Sequence, residues 1–237
     1  MSDEYLCFFT SREPIGNLAF HVGDDIQRVN KNHLLLSQKL AYEQEHLVHM
    51  KQIHSNIVHV VTDEDGFSSP PTCDALVTNK KNTPLMVMVA DCTPVLFYDS
   101  TCEVPFRCKA IGVAHVGREG AFSNIVKNVL KTMEQEYGSC AEDIFIEIGS
   151  SIGVCCYEVG QEIYDKAQPF HYAFTKGDTS YYLDVNKIIL TQLKECGIKE
   201  ENIKNEGVCT ACNTKNYFSY RKEGKTGRFA GILMIRD

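Results

Sequence analysis

The chain has 237 residues but no tryptophan and only 7 prolines. It has no internal repeat, no low-complexity tract and no linker-like stretch, so a single domain over residues 1–237 is expected. No apolar run approaches the roughly 20 residues of a membrane span. No long Lys/Arg run occurs, and 24 Lys+Arg against 31 Asp+Glu leave a net charge of −7. That balance argues against a nucleic-acid partner, whose backbone is held by clustered positive charge, and the lack of a long apolar run argues against a membrane partner. The start, Met1-Ser2-Asp3-Glu4, is acidic and lacks the basic and apolar regions of a signal peptide, so a cytoplasmic location is expected.

Cysteine is what the chain has in excess. Eleven cysteines at irregular spacing, an odd number with no export signal, argue against a disulfide scaffold. Most are expected to be reduced and buried as small apolar groups. Cys209 and Cys212 form a C-x-x-C, but a zinc ribbon needs a second such pair. The adjacent Cys155-Cys156 do not supply it readily, so Cys209 and Cys212 are read as buried structural thiols.

Apolar periodicity predicts helices over 25–40, 121–137 and 184–196. Asp25 or Asp24 and Asp184 stand where caps belong, and Gly138 and Gly197 where helices stop. Strands are expected at 57–61, 75–78, 85–89, 95–98, 110–114, 144–148, 203–208, 217–220 and 229–235. Strands outnumber helices, which fits an α/β or α+β layered domain: a mixed β-sheet sandwich with flanking helices.

Three chemically capable residues stand at strand ends. His54 precedes a strand, Cys92 lies between two apolar runs, and His115 closes the strand that leads into Gly117-Arg118-Glu119-Gly120. Two imidazoles and a thiolate form a borderline-soft set that suits Zn²⁺, with Cu²⁺ as a competitor. Three ligands leave a fourth position open, the pattern of catalytic zinc. The plain alternative is two satisfied histidines and an inert thiol. The turn Gly149-Ser150-Ser151-Ile152-Gly153 offers backbone N–H groups to an anion, and Arg221 and Arg228 are suited to phosphate; a tight turn and solvated charges are the simpler readings. His46 and His49 are read as surface residues.

A series of motifs in fixed order carries a resemblance. Gly16-Asn17-Leu18, Gln52-Ile53-His54-Ser55 and Cys73-Asp74-Ala75-Leu76-Val77-Thr78 come first, followed by Ala90-Asp91-Cys92-Thr93-Pro94 and Ala114-His115-Val116-Gly117. Cys155-Cys156-Tyr157-Glu158-Val159-Gly160, Phe218-Ser219-Tyr220-Arg221 and Thr226-Gly227-Arg228 complete it. Over nearly its whole length the chain resembles the polyphenol oxidase/laccase-domain family, also described as purine nucleoside phosphorylases. The resemblance implies a sandwich like that of certain cysteine hydrolases and toxins, and a His-Cys-His metal set at His54, Cys92 and His115. It also implies phosphorolysis of adenosine, inosine and methylthioadenosine, adenosine deamination, or copper-dependent phenol oxidation. One departure stands out. The family commonly carries Trp-Arg where this chain has Arg118-Glu119, which replaces a potential anion-binding arginine by an acid.

The chain has 8 histidines and no His-x-His pair, so a multicopper oxidase centre is not expected. The favoured expectation is a zinc-dependent purine nucleoside phosphorylase with adenosine deaminase activity. Its partners are a purine nucleoside and phosphate. Asp91 is the first candidate for moving protons, with Glu119 behind it, and Arg118, Arg221, Arg228, Ser150 and Ser151 are the candidates for phosphate. The rival is a Cys/His amide hydrolase acting on peptidoglycan precursors, with Cys92 as nucleophile and His115 as base. A non-catalytic metal-binding module is the third reading. Monomer and homodimer are both open.

Overall fold

The computed structural model describes residues 4–99 and 109–236. The expected acidic start at Met1 to Asp3, and Cys102 and Cys108, lie outside the described residues.

Strands β1 (Tyr5–Phe9), β2 (Val58–Val60), β3 (Ala75–Thr78), β4 (Leu85–Val89), β5 (Thr93–Asp99) and β6 (Ile111–Val116) come from the first half. β7 (Ile144–Ile148), β8 (Glu158–Val159), β9 (Phe174–Lys176), β10 (Tyr181–Leu183), β11 (Ile203–Asn205) and β12 (Phe229–Ile235) follow. The helices are α1 (Ile26–Leu40), α2 (Arg118–Phe122), α3 (Ile125–Tyr137), α4 (Gln161–Lys166), α5 (Val185–Glu195) and α6 (Tyr220–Glu223).

A six-stranded mixed sheet runs β11-β7-β5-β6-β3-β2, with parallel pairs at its two edges and antiparallel pairs between. An antiparallel sheet, β1-β12-β4, faces it, and β8-β10-β9 form a small third sheet. Three apolar layers hold these parts together. Val77, Phe97 and Ile146 of the large sheet pack with Val129 and Met133 of α3 and Ile188 and Leu193 of α5. Leu76, Leu96 and Val113 on the opposite face meet Leu85, Val87 and Leu233 of the second sheet. Met86, Met88 and Ile232 then turn outward onto Leu36 and Leu40 of α1. The order is helices, sheet, sheet, helix. Both faces of each main sheet are covered, which is why these strands read as continuous apolar runs and not as alternation.

Local chemistry explains most boundaries. The Asp25 carboxylate accepts from the Arg28 N–H at 2.9 Å and Asp184 from Lys187 N–H at 2.9 Å, each capping a helix. Gly138 ends α3 at φ +70°, a conformation glycine adopts without cost. Three expectations need correction. The helix over 121–137 is two helices, because Asn124 takes φ +62° between α2 and α3. Residues 217–220 form no strand; Ser219 instead caps the short α6 by accepting from Lys222 N–H. Ile26 is 64% exposed rather than part of the buried stripe of α1.

Candidate metal centre and its cavity

His54 is delivered by the loop before β2, Cys92 by the turn between β4 and β5, and His115 by β6. β5 and β6 are paired with Pro94 opposite His115, which fixes the thiol and the imidazole side by side. One ligand atom from each of the three residues lies within 4.8 Å of the others, and His54 Nε2 is 3.9 Å from Cys92 Sγ. Gly117 closes over them. A Cβ there would stand 3.1 Å from Cys92 Sγ and 3.2 Å from His54 Cδ2. Two non-glycine residues at the site hold left-handed backbone, His54 at φ +60° and Asp91 at φ +87°. Such strain costs on the order of 1–3 kcal/mol each and is characteristic of functional sites.

Asp74, just before β3, organises the cluster. It is fully buried and its carboxylate accepts from the N–H groups of Ile53, His54 and Ser55 at 3.2, 3.0 and 2.7 Å. It also accepts from Ser55 Oγ at 2.7 Å and pairs with His115 Nδ1 at 2.8 Å. The bond to Nδ1 leaves Nε2 of His115 free to face Cys92, the arrangement in which an outer carboxylate orients a metal-ligating histidine. Burial pushes the Asp74 carboxyl up, but these donors outweigh it and bring it down to about 2. Burial likewise opposes ionisation of Cys92 and His115. The imidazolium of His115, with hydrogen bonds from both histidines, nonetheless lowers the Cys92 thiol to about 6. The Cys92 thiolate and Asp74 raise His115 to about 9. A thiolate-forming cysteine, an oriented imidazole and a second imidazole, open to a cavity on one side, fit a three-ligand zinc site.

The cavity measures about 820 Å³. The triad lies in its wall together with Asp91, Phe20, Met88, Tyr157 and Tyr220. Arg118, Arg221 and Arg228 also line it. Arg221 sits over the Tyr157 ring at 5.0 Å and donates to the Glu158 carbonyl at 2.8 Å. Arg228 is held by the carbonyls of Thr226 and Gly227. Arg118 donates through Nε and Nη2 to one oxygen of Glu119, at 3.0 and 2.7 Å. Asp91 accepts from Thr210 Oγ1 and from Arg221 N–H, both at 2.6 Å.

Several expected site residues lie elsewhere. Ser150 and Ser151 are buried away from the cavity, and the turn that holds them has no N–H to offer an anion. Gly149 N–H donates to the Pro94 carbonyl, Ser150 to Glu206, Ser151 to the Val208 carbonyl, Ile152 to the Asp91 carbonyl and Gly153 to Cys209 Sγ. Glu119 is tied to Arg118 and is absent from the cavity wall. His49 is buried, donating through Nε2 to the Phe67 carbonyl at 3.0 Å, and is no surface residue. Among the nine described cysteines only Cys73 is buried; Cys209 is partly exposed and Cys212 exposed, so the buried-thiol reading fails for both. Asp74 was visible in its motif but carried no signal of its role, since its five partners come from two distant segments.

Comparison with known proteins gives these sites a context. The family model described as multi-copper polyphenol oxidoreductase laccase matches residues 10–236. A purine nucleoside phosphorylase of Corynebacterium glutamicum is 36% identical over 225 residues, covering 92% of this chain and 86% of the relative. One of Clostridium acetobutylicum is 32% identical over 236 residues, covering 98% and 92%. The crystal structure of YlmD from Geobacillus stearothermophilus superposes with a TM-score of 0.90 at 26% identity, covering 99% of this chain and 93% of that one. The YfiH protein of Bacillus licheniformis also reaches 0.90, at 28% identity, with 99% and 94% covered. A match from residue 10 to residue 236 shows that the chain belongs to the multi-copper polyphenol oxidoreductase laccase family.

Proposed function

We propose that the cavity binds a purine nucleoside with inorganic phosphate and that the chain catalyses phosphorolysis to the free base and ribose 1-phosphate. The observation that carries this reading is the meeting of three arginines with the His54–Cys92–His115 cluster in one cavity. Relatives named purine nucleoside phosphorylases support it. Its volume falls within the roughly 300–1,000 Å³ usual for small-molecule sites. Guanidinium groups recognise phosphate through charge-assisted, often bidentate hydrogen bonds. Arg221 and Arg228 hold the anion, and Arg118 adds charge that Glu119 partly offsets. The Trp-Arg departure is thereby softened: Arg118 reaches the cavity from one position earlier. Tyr157 and Phe20 offer aromatic faces to the base.

An oxygen of hydrogen phosphate attacks the ribose C1′ as the bond to the base nitrogen breaks, and the proton that the phosphate loses on forming the ester passes to the departing base. Asp91, beside Cys92, is assigned that proton traffic. Each of its oxygens accepts one hydrogen bond and keeps a lone pair for another partner. Zinc held by the three side chains would supply Lewis acidity at the cavity wall, with copper the competing occupant. Adenosine deamination is the second activity of the same site. Adenosine, inosine and methylthioadenosine are the substrates to test.

Purified protein incubated with inosine or adenosine, with and without phosphate, tests the reading. Base and ribose 1-phosphate should form only with phosphate, and Cys92→Ala should lose turnover and the metal of the His54–Cys92–His115 centre. Inosine loss that ignores phosphate would sink phosphorolysis.

The lowered Cys92 thiol beside the raised His115 favours a second reading, a Cys/His amide hydrolase. A chelator separates the two. It abolishes a metal-dependent phosphorylase and leaves a thiolate nucleophile active.

A further inference from the structure

A second thiol-rich cluster lies outside the cavity. Cys155 and Cys156 sit in the loop after β7, Cys209 and Cys212 in the loop after β11. β7 and β11 are parallel neighbours, so their following loops leave the sheet side by side. Ser151 and Cys209 continue that pairing as a parallel bridge. All four sulfurs lie within 4.8 Å of one another. Cys212 Sγ is 3.3 Å from Cys156 Sγ and 3.6 Å from Cys155 Sγ.

We propose that Cys155, Cys156, Cys209 and Cys212 form a structural zinc site, separate from the His54–Cys92–His115 centre. A tetrahedron with zinc–sulfur bonds of about 2.3 Å has sulfur–sulfur edges of about 3.8 Å, close to the separations found here. Cys212 approaches two sulfurs at once, as a tetrahedral corner does and a disulfide partner does not. The backbone also suits thiolates. Gly153 donates its N–H to Cys209 Sγ at 3.2 Å, and a Cβ at Gly153 would stand 3.3 Å from Cys155 Sγ and from the Cys209 Cβ. N–H groups directed at ligating sulfur offset the charge that four thiolates bring to one divalent ion. Four soft ligands select zinc or iron, and a closed four-sulfur set leaves no position for substrate. Binding releases the four thiol protons as four sulfur–metal bonds form. No oxidation is involved.

The site would tie together two loops that shape the cavity. Ile152 and Tyr157 flank the first cysteine pair and line the cavity. Thr210 lies between the second pair and donates to Asp91. The inference stands apart from the choice of reaction, since it concerns ligands the reaction does not touch.

Metal content of the full chain, purified without chelator, tests it. Cys92→Ala removes the first centre and should retain one zinc per chain. Cobalt loaded into that variant should show thiolate-to-cobalt charge transfer and intense tetrahedral visible bands. The Cys156→Ser/Cys212→Ser double variant should lose one equivalent while keeping the metal of the first centre. The cobalt spectrum holds even where the double variant fails to fold. A Cys92→Ala protein that takes up no zinc or cobalt would overturn the proposal, as would an intact mass showing disulfides among these four. One bound iron in place of zinc would overturn the choice of metal.

Discussion

Asp74 bears more of the site than its single carboxylate suggests. It fixes the backbone before and at His54 and the ring of His115 together. Loss of such an outer partner typically costs about 10–100-fold in metal affinity, so Asp74→Asn should weaken zinc retention by that order while the fold persists. Competition with a chelator measures it. The same residue sets an acid limit. Its folded pKa, about 2, lies below the ordinary 3.8, so its stabilisation is complete above pH 4 and is lost as pH falls through 2. The effect is on the order of 2 kcal/mol. Urea midpoints in chelator should fall more steeply from pH 4 to 2 for the native chain than for Asp74→Asn. At Gly117 a methyl group must push on Cys92 Sγ or His54 Cδ2. Gly117→Ala should therefore lower metal affinity and turnover about tenfold or more, with unfolding temperature little changed; circular dichroism and metal analysis check this. The three triad residues were marked as candidates by their types at strand ends and singled out together by the family motifs, and the structure brings them into one cluster. Asp74 was not, because an acid's meaning comes from donors that the chain order does not reveal.

Helices and strands were legible to different degrees. β7 and β12 have the expected bounds, since each is a short apolar run between polar turns. The capped start of α1 was equally plain. Asp25→Ala should cost about 1 kcal/mol through loss of the bond to Arg28 N–H and leave turnover unchanged, as urea unfolding and an inosine assay would show. The break between α2 and α3 was hidden, because the apolar spacing continues through Asn124. What ends α2 is Asn124 at positive φ, with Ser123 Oγ donating to the Glu119 carbonyl, and neither follows from periodicity. The small sheet of β8, β9 and β10 also escaped, its strands being too short to show a period.

Across the whole molecule, the cavity is assembled from segments far apart in the chain. Thr210 reaches Asp91 across 119 positions, and Arg221 N–H reaches the same carboxylate across 130. Thr210→Val removes a bond to the residue assigned the proton traffic. Turnover should fall several-fold with the triad's metal retained, and paired kinetic and metal measurements decide it. Arg221→Ala should raise the phosphate KM roughly 10–100-fold, from the ~1.5–3 kcal/mol of a hydrogen bond to a charged group, and change the nucleoside KM little. By itself the sequence determined the layered α/β character and, through its ordered family motifs, the three candidate ligands, because apolar runs and short motifs are local properties. It misplaced Ser150 and Ser151, whose N–H groups are consumed by Glu206 and Val208 in the loop after β11, and it dismissed two cysteine pairs that lie far apart in the chain. Only the tertiary structure decided those, since the parallel pairing of β7 with β11 sets which thiols meet and which donors remain free.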